Sequence, residues 1–69
     1  MNLIEHYIED IVDVKDVTKQ FKAHTGYTPT EPLYEVTMDV DCMGNKERVT
    51  EQFFETEFNK IKAQKYYLA

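Results

Sequence analysis

The sequence predicts an α+β fold. A small antiparallel sheet is built on a central hairpin, about residues 33–42 and 46–54, with an N-terminal helix, a short second helix and a C-terminal helix packed on one face. Three observations predict it. From Tyr34 the chain alternates strictly, with Tyr34, Val36, Met38, Val40 and Cys42 on one side and Glu35, Thr37, Asp39 and Asp41 on the other. Gly44-Asn45 then supplies residues that accept positive φ, as a tight hairpin requires. Both ends of the chain space their apolar residues three or four apart.

Sixty-nine residues, 42% hydrophobic and 30% charged with 2 Gly and 2 Pro, make one globular domain over 1–69. At the N-terminus, Leu3, Ile4, Tyr7, Ile8, Ile11 and Val12 line one face of a helix over about 2–12. The β-branched stretch from Ile8 to Val14 leaves a strand as the competing reading. Asp13 is placed to cap the second helix, with Asp16 three residues on, and Gly26 to end it in the left-handed conformation. The segment Tyr27 to Leu33, with Pro29 and Pro32, reads as an extended connector. Its Pro-x-x-Pro spacing lacks the neighbouring basic residue of an SH3-type ligand.

A two-residue turn at Gly44-Asn45 would set Asp41 opposite Arg48, Val40 opposite Val49 and Val36 opposite Phe53. The same register sets Glu51 opposite Met38 on the apolar side, a conflict that a bulge, an open sheet margin or a buried carboxylate would each resolve. Thr56 is a suitable cap for a helix over about 56–65, with Glu55 and Glu57 near its positive end and Lys60, Lys62 and Lys65 toward its negative end. Phe58 and Ile61 form its apolar stripe, and Tyr66-Tyr67-Leu68 suits a short third strand or a docked tail.

Little in the chain points to catalysis. The single Cys42 falls on the apolar side of its strand, which makes a buried, inert thiol, and without a disulfide the chain suits a reducing cytoplasm. His6 and Asp10, four apart on the first helix, with His24 or a third carboxylate, are the available metal ligands. That spacing is equally that of a weak ion pair on a solvated helix, and no metal or cofactor is expected. Asp39 and Asp41 lie on a side open to water, where carboxyl groups are not tuned for acid–base work. No glycine-rich phosphate loop or membrane-spanning run is present, the acidic start MNLIEHYIED is not expected to act as a signal peptide, and a protein without enzymatic activity is expected.

Charge is the more informative feature. Thirteen Asp and Glu against eight Lys and Arg give −5, which repels free nucleic acid. The charge is segregated, at −4 over residues 1–16 and −6 over 31–57, while residues 58–69 carry three lysines and no acid. Glu35, Asp39 and Asp41 along one strand, with Asp10 and Asp13 nearby in sequence, are the candidate partner-binding carboxylates, against the plainer reading of a solvated exterior. Tyr7, Tyr34 and one of Tyr66 and Tyr67 are expected to cover the core edge. Tyr27, in the connector, is either an exposed interface anchor or an aromatic folded back on the sheet.

The segments LIEHYIEDI, VDCMGNKER and TEFNKIKAQKYYLA resemble small uncharacterised proteins carried by phages and prophages of Gram-positive bacteria. The resemblance covers both ends and the middle of the chain and implies a setting, with no activity and no residue role attached. In that setting the expected function is a small acidic accessory protein that binds and inhibits or redirects a host protein, including an anti-defence factor such as an anti-CRISPR. Its partner would carry a basic groove of the kind that holds nucleic acid. The alternative is a self-associating structural or assembly module, a homodimer through the first helix. A third reading, a nucleic-acid accessory factor, rests on the C-terminal lysines alone.

Overall fold

The structure, a computed structural model, describes residues 3–69. Its elements in chain order are β1 (Glu5–Asp16), α1 (Thr18–Thr25), β2 (Leu33–Cys42), β3 (Asn45–Phe54), α2 (Glu55–Gln64) and β4 (Tyr66–Leu68). The strands form one antiparallel sheet in the order β3-β2-β1-β4.

The first segment corrects the expected helix over 2–12, of which residue 2 lies outside the described residues. It is a strand, and the competing reading of Ile8 to Val14 describes it. Ile8, Ile11 and Val14 stand opposite Val40, Met38 and Val36, with register shifts between Ile8 and Asp10 and again between Ile11 and Asp13. Each shift inserts one extra residue, Glu9 and then Val12, and so turns the two-residue period of a strand into a period of three. A doubly bulged strand therefore carries the apolar spacing of a helix. Bulges also increase strand twist and bend. Phe53 on one edge strand and Tyr67 on the other are three strand spacings apart, roughly 14 Å across a flat sheet before any offset along the strands, yet their rings lie 5.6 Å apart. The sheet is strongly curled.

Inside the curl lies the core: Val36, Met38 and Val40 of β2, Phe58 and Ile61 of α2, and Tyr67 of β4, with Ile8, Ile11, Tyr34, Val49 and Phe53 packed around them. The C-terminal helix starts one residue earlier than expected, and Thr56 is inside it rather than capping it. The cap comes from the connector. Glu31 accepts hydrogen bonds from the Thr56 backbone N–H (2.8 Å) and the Thr56 hydroxyl (3.2 Å), which satisfies an orphan donor and places a carboxylate at the positive end of the helix. Lys65 ends α2 in the left-handed conformation (φ 68) and its carbonyl accepts from the Ile8 N–H, which turns the chain directly into β4.

The short second helix ends at Gly26 (φ 72) as expected. Its start is set by Asp16 rather than Asp13: the Asp16 carboxylate accepts from the Thr18 N–H and hydroxyl, which holds it below the usual carboxylate range. This helix does not share the face of α2. Val17, Gln20, Phe21 and His24 form a cleft with Lys15, Glu35 and Gln52, which lie on the opposite side of the sheet, and Phe21 meets Phe54 edge-on at 6.2 Å.

In the hairpin the turn residues are Met43 and Gly44, both at positive φ (53 and 88), with Cys42 paired to Asn45. The register therefore slips by two from the expected one: Asp39 faces Arg48, Met38 faces Val49 and Val36 faces Glu51. A slip of two leaves every side chain on its expected face. Glu51 is exposed on β3, which is an edge of the sheet, so the open margin resolves its conflict. Cys42 is half-buried and free, on the side of β2 that was expected.

Two substitutions test this packing in urea denaturation. Ile61→Ala, at a position with no solvent exposure, lowers stability by about 2–5 kcal/mol. Met43→Asn raises it by about 0.5 kcal/mol, because Asn tolerates the left-handed conformation that Met43 adopts while 81% exposed and unpacked.

Candidate functional site

Helix α2 covers only one face of the sheet. The other, outer face carries alternate residues of each strand in rows that follow from the register. Tyr66, Tyr7, Asp41 and Lys46 form one row; Asp10, Asp39 and Arg48 the next; Asp13, Thr37 and Thr50 the third; and Lys15, Glu35 and Gln52 the fourth, against α1. The middle two of these rows carry more acids than bases, the outer two are balanced, and two distant stretches of sequence supply the acids. The bulge at Glu9 is what keeps Asp10 on the same face as Asp39.

Within this face the carboxylates differ in what already holds them. Asp39 accepts two hydrogen bonds from Arg48, to Nε at 2.8 Å and Nη2 at 3.2 Å, and this fork keeps the Asp39 carboxyl below its ordinary range and raises Arg48 in turn. Asp41 accepts the Gly44 N–H at 2.8 Å and so belongs to the turn. Glu9 pairs with Lys46 at 3.2 Å. Asp13 accepts the Val14 N–H at 3.0 Å. Asp10 and Glu35 are in no ion pair among the described residues.

Five of the six residues expected to meet a partner therefore share one face: Glu35, Asp39 and Asp41 on β2, and Asp10 and Asp13 on β1. Asp10 and Asp13 were expected on or beside a helix, and the strand brings them across from Asp39 and Thr37. Tyr27 stands apart. It lies beyond α1, 59% exposed, with its ring edge-on to Phe21 at 6.4 Å. Tyr7, expected at the core edge, is on the outer face, where its hydroxyl donates to Glu5 at 2.7 Å and its ring leans on Tyr66 at 5.8 Å. The sequence reading set Arg48 across from Asp41 rather than Asp39, and it missed the contribution of Tyr7 and Tyr66 to this face. An alternating pattern in β1 would have shown it, and the bulges erase that pattern.

His6 and Asp10, the ligand types available in the first segment, are on opposite sides of the sheet. His6 stacks on Tyr67 at 5.1 Å on the core side of the sheet, whereas Asp10 is on the outer face. Among the described residues no group of three His, Cys, Asp or Glu side chains gathers to hold a metal ion. No described helix is long and apolar enough to cross a membrane. Compared with known protein families, with curated proteins and with solved structures, the chain matches none.

The Asp39–Arg48 fork has a pH signature. Because the folded Asp39 carboxyl titrates below its ordinary value of 3.8, the stability it adds is present above that value and is lost as pH falls through the lowered midpoint. Arg48→Ala returns the Asp39 midpoint to the ordinary carboxylate range, measured by NMR titration of the side-chain carboxyl.

Proposed function

We propose that this protein is a small acidic binding protein, of the phage and prophage accessory type, that inhibits or redirects a host protein by laying the outer face of its sheet on a basic groove. The reading is supported chiefly by the convergence of Asp10 and Asp13 of β1 with Glu35, Asp39 and Asp41 of β2 on the face that α2 leaves open. A strand face is a rigid platform, and its rows hold charges at fixed spacing. Such an arrangement steers association with a positively charged partner and fixes its orientation. Tyr7 and Tyr66, amphipathic and tilted against each other at the edge of the same face, supply the aromatic contact area on which interfaces commonly depend.

The partner this surface suits displays phosphate-binding lysines and arginines, and occupying such a groove blocks nucleic acid without any bond-making chemistry. An anti-defence role, including that of an anti-CRISPR, is the setting in which a host protein with such a groove is the target. Action is stoichiometric and weakens with salt, because the attraction is screened.

The variant Asp10→Lys with Glu35→Lys tests the proposal. Both positions lack an internal ion partner, so the fold is retained in far-UV circular dichroism, since such surface changes usually cost little. Affinity capture from the bacterial host with the native protein yields a basic partner that the reversed variant no longer holds. Equal capture by the two proteins overturns the assignment of this face.

A further inference from the structure

Strand β1 is only partly covered on the side away from β2. Strand β4 pairs with Glu5 to Tyr7 and Lys65 bonds to Ile8, after which that edge of β1 has no strand neighbour among the described residues as far as Asp16. The open stretch from Glu9 to Asp16 is mostly charged, but it includes Val12 and Val14, 43% and 41% exposed, with Val14 flanked by Asp13 and Lys15 of opposite charge. Past the second bulge, Asp13 to Asp16 pair regularly with Thr37 to Tyr34, so this part of the edge is straight enough to accept a neighbour.

We infer that a second copy of this chain pairs here, β1 against β1 and antiparallel, about a twofold axis at Val14. The direction of the backbone groups sets the first condition. The Val17 N–H donates to the Leu33 carbonyl, so residues 13, 15 and 17 turn their N–H and C=O groups toward β2, while Val14 and Asp16 turn theirs outward. The Val14 N–H, with no strand beside it, is held by the carboxylate of Asp13 at 3.0 Å. An outward-facing residue on the axis exchanges both of its backbone bonds with its own symmetry mate.

Charge sets the register. With Val14 on the axis, Asp13 of each copy stands opposite Lys15 of the other in the closely spaced, non-hydrogen-bonded positions, giving two opposite-charge pairs beside an apolar Val14–Val14 contact. An axis at Asp13, Lys15 or Asp16 sets that charged residue against itself. The other edge of the sheet is less suited. Strand β3 carries Glu47 and Glu51 on the helix side, and a twofold at Val49 would bring the two together. Helix α1 lies over the outer face, with Phe21 against Phe54 and a cleft bordered by Lys15, Leu33 and Glu35, while α2 borders β1 at Ile8 to Ile11, short of Val14.

This association goes beyond the binding of a host partner and is tested on the purified protein alone. Light scattering from about 10 μM to about 1 mM shows a shift from the 8.2 kDa chain to twice that mass. Asp13→Lys and Lys15→Glu each set like charges opposite one another and weaken the dimer by roughly tenfold or more, whereas the double variant restores the pairs and the affinity. Circular dichroism establishes that each variant is folded; if Lys15→Glu is not, Asp13→Lys and the double variant carry the comparison. Protection of the Val14 amide from hydrogen exchange rises with concentration in the native protein. A single mass across the whole range, or single variants that dimerise as well as the native chain, overturns the inference.

Discussion

One ten-residue helix cannot cover both faces of a four-stranded sheet, and this limit governs the rest of the molecule. Helix α2 inserts Phe58 and Ile61 against Val36, Met38 and Val40, and the curl of the sheet brings Phe53 and Tyr67 over the ends of that contact. Closing the core in this way leaves the opposite face to water except at the end where α1 lies over Leu33 and Phe54. Polar residues fill the rest of it, and among the charged ones the acids outnumber the bases, held in register by the hairpin and by β1. Even the approach of α2 depends on the connector, whose Glu31 binds the helix N-terminus across the chain from Thr56.

The acidic face is not uniform, and the differences have chemical meaning. The Asp39–Arg48 fork neutralises the middle of the sheet, the Asp41 side chain is committed to the turn, and Glu9 is drawn to Lys46. What is left to meet a partner is Asp10 and Glu35, near opposite ends of the face, with the Tyr7–Tyr66 pair beside the first. Two separated negative positions with an aromatic edge define an orientation for an incoming surface, which a single cluster would not.

Much of the architecture was legible because β2 obeys the simplest rule of a half-buried strand. Its alternation located the hairpin, its core residues and the outward acids, and because the register slipped by two rather than one, no residue changed sides. The stripe of Phe58 and Ile61 and the exit at Gly26 were equally plain. The first strand was not, since Ile8, Ile11 and Val14 repeat every third residue and only pairing with Val40, Met38 and Val36 shows that bulges, not helical turns, space them. The same local reading put the helix caps on Asp13 and Thr56, whereas α1 is started by Asp16 and α2 by the sequence-distant Glu31. The site was legible in its acids and illegible in its geometry, for Asp10 could not be set across from Asp39 until β1 was a strand.

Beyond the last pair of β4, Ile4 and Ala69 exchange backbone hydrogen bonds at 2.9 and 3.1 Å, so the two ends of the described chain lie side by side. The fold is thus close to a ring. A short tether from 69 back to 4 and a cut at the Met43–Gly44 turn would conserve every strand neighbour while renumbering the order in which the strands leave the ribosome. In the native order the contact that completes the sheet is the one of longest sequence separation, so loop-closure entropy makes it the slowest to reward, and the first residues of β1 must wait for nearly the whole chain before β4 pairs with them.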